Sequence, residues 1–171
     1  DLTDNRTPEV LIAEAVEAAK DADYVIFVGG LNKSDHQDSE GADRLQLDLP
    51  YHQEDVIRAI APVAKNLVVV NISGSPVSMP WADVAGAIVQ GWYGGTESGN
   101  ALADVLTGKV NPSGKMPFTV PFKYDDGPIK TVRQYPGIKE ENDEYWQTHY
   151  DEGIYVGYRW YEAKEIPVQW P

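Results

Sequence analysis

The stretch 67-LVVVNISGSP-76 decides the fold class. Its first six residues are apolar except for Asn71 and carry three β-branched Val side chains in a row. A run this short, apolar on both faces, reads as a buried strand of a parallel sheet. The tetrapeptide 73-SGSP-76 then closes it with turn-forming residues. Working outward, 24-YVIFV-28 has the same character and is expected to be a central parallel strand, and 87-AIVQ-90 supplies a third. Helical patterns separate them. Thr7-Pro8-Glu9 reads as a helix start, with Thr as N-cap and Pro at the first helical position. That helix runs to about Lys20 with Leu11, Ala15, Ala18 and Ala19 on one face. Pro50 is expected to open a second helix carrying Val56, Ile57 and Ile60. A third begins near Thr96, carries Ala101, Leu102, Val105 and Leu106, and stops at Gly108.

Alternation of strand and helix defines an α/β fold: a three-layer sandwich, with a mainly parallel sheet flanked by helices on both faces. Pro121 within 118-FTVPF-122 marks an antiparallel edge strand. Residues 1–122 are read as the sandwich core. Residues 123–171 are read as an extended tail of the same domain, polar and turn-rich to 149. In 150-YDEGIYVGYRWYE-162, Ile154, Val156, Tyr158 and Trp160 alternate, which predicts one late strand.

Composition narrows the function classes. The 171 residues carry 14 basic and 27 acidic side chains, a formal net charge of −13. Nucleic acid and anionic membrane both need clustered Lys and Arg, so neither is expected as a partner. No run approaches the ~18 apolar residues of a membrane span. The absence of Cys removes disulfides, thiolate metal sites and a Cys nucleophile. The generous aromatic content, five Trp and ten Tyr, is read first as core filling.

In a parallel sheet, ligands sit outside the carboxyl ends of the strands. Three loops leave those ends here: Gly29–Leu49, Ser73–Pro80 and Gly91–Gly95. The first carries Glu40, and the third carries Trp92 and Tyr93. One rim therefore holds an acid and two aromatics. Other chemistries fare worse. Val28-Gly29-Gly30-Leu31 lacks the G-x-G-x-x-G spacing of a dinucleotide loop, and Gly114-Lys115-Met116 is no Walker loop. Ser73 and Ser75 do not form a G-x-S-x-G elbow. Asp35, His36, Asp38 and Glu40 are close in sequence but match neither an EF-hand nor a zinc motif, so no metal or other cofactor is expected. His36, His52 and His149 stand alone and read as surface or capping residues. Glu40 remains as a general acid or base. Glycosidic hydrolysis, however, takes two carboxylates, about 5–5.5 Å apart in retaining enzymes. No obvious second one is present, so the chain reads as half of an active site.

The segments 38-DSEGADR-44, 67-LVVVNISGSPVSMPW-81, 91-GWYGGTESGNALADVLTGKVNPSGKMPFTVPF-122 and 150-YDEGIYVGYRWYE-162 resemble the second domain of glycoside hydrolase family 3, in its β-glucosidase-like subgroup. The resemblance covers about residues 8–171. It implies a retaining exo-glycosidase acting on terminal β-glucosides, in which an N-terminal TIM-like barrel of the same polypeptide carries the nucleophilic Asp. The family's E-G-x-D-R motif is matched by Glu40-Gly41-Ala42-Asp43-Arg44. Glu40 then takes the acid/base role, with Asp43 and Arg44 shaping the loop and Trp92 and Tyr93 as substrate-wall residues. Against the family pattern, the barrel, a strand before Thr7 and the segment after 167-PVQWP-171 are missing. The sandwich is therefore expected to be incomplete at its N-terminal edge, and the isolated chain inactive. The competing reading is a non-catalytic carbohydrate-binding module, with the aromatics as a sugar platform.

Overall fold

The computed structural model describes residues 4–170. The chain divides into two compact units, Asp1–Gly114 and Lys115–Pro171. In the first unit, α1 (Pro8–Lys20), β1 (Val25–Gly30), α2 (Gln53–Ile60), β2 (Leu67–Ile72), β3 (Ala87–Gln90) and α3 (Ser98–Leu106) follow in order. Thr7 is extended, and its carbonyl accepts from Val10 and Leu11 at 3.1 and 3.2 Å. Pro8 sits at the first helical position, where its missing N–H costs nothing.

The three strands form one parallel sheet in the order β1-β2-β3. Val25 to Gly30 pair with Leu67 to Ile72, and Val68 to Asn71 pair with Ala87 to Gln90. Because successive strand side chains point to opposite faces, the register sorts the core. Val25, Phe27, Leu67, Val69 and Ile88 share one face with Ala19 of α1, Ile57 and Ile60 of α2, and the wholly buried Trp81. On the opposite face Ile72 and Val89 meet Ala101, Leu102 and Val105 of α3 around a groove of about 310 Å³. Helices thus flank both faces of the sheet, giving the α/β sandwich.

Two expectations are corrected in this unit. β2, not β1, is the central strand. Among the described residues β1 is an edge, and Tyr24, Ile26 and Val28 on its second face are 70%, 48% and 57% exposed. An apolar run on both faces therefore did not mean coverage on both faces. α2 starts at Gln53 rather than Pro50, because Tyr51 and His52 adopt left-handed backbone (φ 61° and 59°) and cannot continue a helix.

In the second unit, β4 (Val120–Pro121) and β5 (Val168–Trp170) make a two-stranded antiparallel sheet of their own. Between them, Ile138 and Gln147 exchange backbone hydrogen bonds of 2.9 and 2.8 Å. The late strand expected over 150–162 is not formed. Residues Tyr158–Ala163 are a helix, α4, entered through Gly157 at φ 56°, a conformation that breaks an extended run. The alternating Ile154, Val156 and Tyr158 stay exposed, whereas Tyr161, outside that alternation, is buried. Trp160 Nε1 donates to the Asp126 carbonyl at 2.9 Å. The strand near the end of the chain lies later, at Val168–Trp170.

Ile57 is wholly buried against β2, so its truncation leaves a cavity between helix and sheet. Ile57→Ala is expected to cost about 2–5 kcal/mol, read as a lower urea midpoint at unchanged denaturant slope.

Candidate active site

The loop bearing Glu40 begins where β1 ends, and its departure is fixed by backbone crowding. Gly30 has φ 136°, and a Cβ there would lie 2.0 Å from the Ile72 carbonyl oxygen. The Gln53 side chain completes this edge: its Oε1 accepts from Gly30 N–H at 2.7 Å and its Nε2 donates to the Gly30 carbonyl at 2.8 Å. Beneath the rim, the ends of β2 and β3 are joined by a buried polar network. Asn71 Nδ2 donates to Ser73 Oγ (2.9 Å) and Gln90 Oε1 (2.8 Å), and Gln90 Nε2 returns a bond to the Ser73 carbonyl at 3.0 Å. Asn71 and Ser73 are both fully enclosed, and the bonds of the Asn71 amide nitrogen and the Ser73 hydroxyl fix the arrangement of the strand ends, while Asn71 Oδ1 has no partner among the described residues.

Above this floor the three loops converge on Asp38. Its Oδ2 accepts from Gly74 N–H at 2.7 Å and from the Tyr93 hydroxyl at 2.8 Å, and its Oδ1 accepts from Ser75 Oγ at 2.5 Å. Arg44 Nη1 donates to the same Ser75 Oγ at 3.0 Å and to the Pro76 carbonyl. His36, at φ 62°, reaches back with Nδ1 to the Asp43 carbonyl at 2.9 Å, bracing the loop across its base. Lys33, Gln37, Asp38, Ser39, Asp43, Arg44, Gly74, Ser75 and Tyr93 line an open hollow of about 570 Å³. Glu40 is exposed and belongs to the same loop.

The electrostatics follow from these contacts. Desolvation pushes the Asp38 carboxyl upward, but the bonds from Ser75, Gly74 and Tyr93 together outweigh it and hold it below the usual carboxylate range. Desolvation lowers the Arg44 guanidinium, opposed by Asp38 and Asp48. The Tyr93 phenol is pushed up to about 12, by desolvation first and then by its bond to Asp38.

Of the residues singled out from sequence, Asp43, Arg44 and Tyr93 line the hollow beside the Glu40 loop. Trp92, left-handed at φ 54°, lines the separate groove along α3. Asp38 and Ser75 were not selected from sequence, although 73-SGSP-76 at the end of the central strand was the available signal. Asp38 had been weighed only as a metal ligand.

The class of molecule is now set: an α/β sandwich domain with an acidic loop pinned over the carboxyl ends of its strands. The chain belongs to the glycosyl hydrolase family 3 C-terminal domain family, whose profile matches residues 4–158. It is 48% identical to beta-glucosidase BoGH3A of Bacteroides ovatus over 169 residues, covering 96% of this chain and 22% of that protein. It is 42% identical to thermostable beta-glucosidase B of Acetivibrio thermocellus, covering 95% of this chain and 20% of that protein. Among solved structures, beta-glucosidase from Kluyveromyces marxianus superposes with a TM-score of 0.85 at 38% identity, over 99% of this chain and 20% of that one. The family 3 beta-glucosidase of Bifidobacterium adolescentis gives a TM-score of 0.83 at 41% identity, over 100% of this chain and 24% of that one. The chain thus spans about a fifth of the length of the curated relatives it matches.

Because the folded-state pKa of Tyr93 is raised, the stability it contributes is fully present below about pH 10 and is lost as pH rises toward 12. Ultraviolet titration is expected to show a tyrosinate component near pH 12 that disappears in Tyr93→Phe.

Proposed function

We propose that this chain is the acid/base-bearing domain of a retaining, exo-acting β-glucosidase, with Glu40 as the proton carrier. The observation that supports it most is the presentation of Glu40. This carboxylic acid reaches solvent from a loop anchored at the strand-end rim, in a family whose relatives are beta-glucosidases. A complex of the Kluyveromyces marxianus enzyme with glucose gives the substrate class further support. On this reading the nucleophilic carboxylate lies in an N-terminal TIM-like barrel of the same polypeptide. It attacks the anomeric carbon while the bond to the leaving group breaks, and the leaving oxygen takes the Glu40 proton. In the second step Glu40 accepts a proton from water as that water attacks the same carbon. The sugar is released with retained configuration and both carboxyl groups are regenerated. Arg44 and Asp43 shape the loop, and Tyr93, and farther along the rim Trp92, stand as walls for the sugar.

Two outcomes test this. The isolated chain is expected to show no turnover of an aryl β-glucoside; clear turnover would place a second catalytic carboxylate within these residues. In the complete polypeptide, Glu40→Gln is expected to slow poor leaving groups by roughly 100-fold or more relative to activated ones. An equal loss across leaving groups would sink the assignment.

A further inference from the structure

Glu40 lies in a loop without regular secondary structure, yet that loop is held at two points, and the two holds share the short segment 74–76. On the N-terminal side, Asp38 binds Gly74, Ser75 and Tyr93, partners 36, 37 and 55 residues away in sequence. On the C-terminal side, Arg44 binds Ser75 and Pro76. The Ser75 hydroxyl joins the two holds: it donates to Asp38 Oδ1 and accepts from Arg44 Nη1. Asp38 is two residues from Glu40, and two residues of extended chain span at most about 7 Å. Fixing the Asp38 carboxylate therefore confines the Glu40 backbone to a small volume over the ends of β2 and β3.

Resting on the acid/base role of Glu40, we infer that Asp38 is a positioning residue for it. Its carboxylate clasps the acid-bearing loop to the loops after β2 and β3 through Gly74, Ser75 and Tyr93, and so sets where the Glu40 proton is delivered. The carboxylate accepts all three bonds with the strength of an ionised group. An Asn here either sets its amide nitrogen against the Gly74 N–H, donor against donor at 2.7 Å, or, turned over, keeps only neutral bonds to Gly74 and Tyr93 and can no longer accept from the Ser75 hydroxyl. Tyr93, read from sequence as a sugar wall, also gives its hydroxyl to this clasp. Proton delivery to a departing oxygen tolerates little displacement: a misplacement of about 1 Å costs on the order of 100-fold. A purely structural bond would instead lower stability and leave the dependence on leaving group untouched.

The experiment uses the complete polypeptide and aryl and alkyl β-glucosides of graded leaving-group ability. Asp38→Asn is expected to reduce kcat/KM by about 10- to 100-fold for poor leaving groups and much less for activated ones. Tyr93→Phe, which removes one of the three bonds, is expected to act in the same direction by a smaller factor, and Asp38→Glu, which keeps the carboxylate, to recover part of the loss. Amide hydrogen exchange supplies a readout independent of turnover. The Gly74 amide is expected to exchange at least about tenfold faster in Asp38→Asn, while the amides of α3 are unchanged. A loss equal for all leaving groups in Asp38→Asn, or an unchanged Gly74 exchange rate, overturns the clasp. If Glu40→Gln keeps its leaving-group dependence while Asp38→Asn lacks it, only the positioning role falls. If Glu40→Gln itself lacks that dependence, the acid/base reading falls and the positioning role falls with it.

Discussion

Leu67–Ile72 is hydrogen-bonded along both edges, and the rest of the first unit is arranged around that double pairing. Being parallel to both neighbours, it forces β1, β2 and β3 to end at one rim, so three loops distant in sequence open side by side. Its side chains fix both helix layers: Leu67 and Val69 seat Ile57 and Trp81, while Ile72 on the other face meets α3. At its end it substitutes Asn71 and Ser73 for apolar residues, and these tie β2 to Gln90 of β3 beneath the rim. One strand thus supplies the core and the floor of the candidate site.

What sits on that floor is held by charge-assisted hydrogen bonds rather than by packing. Asp38 accepts three bonds from groups of two other loops, and the half-buried Arg44 guanidinium shares one of those partners. Bonds to an ionised carboxylate are about twice as strong as neutral ones, and here they order a loop that has few apolar anchors. The geometry accounts for how an exposed Glu can occupy a defined position without a helix or strand of its own.

Much of the fold was legible because the signals were local. Short apolar runs, Pro8 after Thr7 and Gly108 after Leu106 each specify structure within a few residues. The failures were of two kinds. Tyr51 and His52 took left-handed backbone that neither residue type announces, and α2 began three residues late. The alternation of Ile154, Val156 and Tyr158 had the right period for a strand, but Gly157 turned the chain and those side chains stayed exposed. At the site, Glu40, Asp43, Arg44 and Tyr93 were reachable from motif and topology. Asp38 was not, because its role depends on bonds across 36 to 55 residues that no spacing rule encodes.

If Glu40 carries the proton and another carboxylate forms the bond to the sugar, chemical rescue separates the two roles in one measurement. In the complete polypeptide, Glu40→Ala given an activated aryl β-glucoside and azide is expected to regain turnover. Azide, which needs no general base, attacks the anomeric carbon of the covalent glycosyl intermediate, releases the enzyme carboxylate and leaves a β-configured glucosyl azide. An α-configured azide would make Glu40 the nucleophile itself, and the absence of any azide product would contradict its role as the general base.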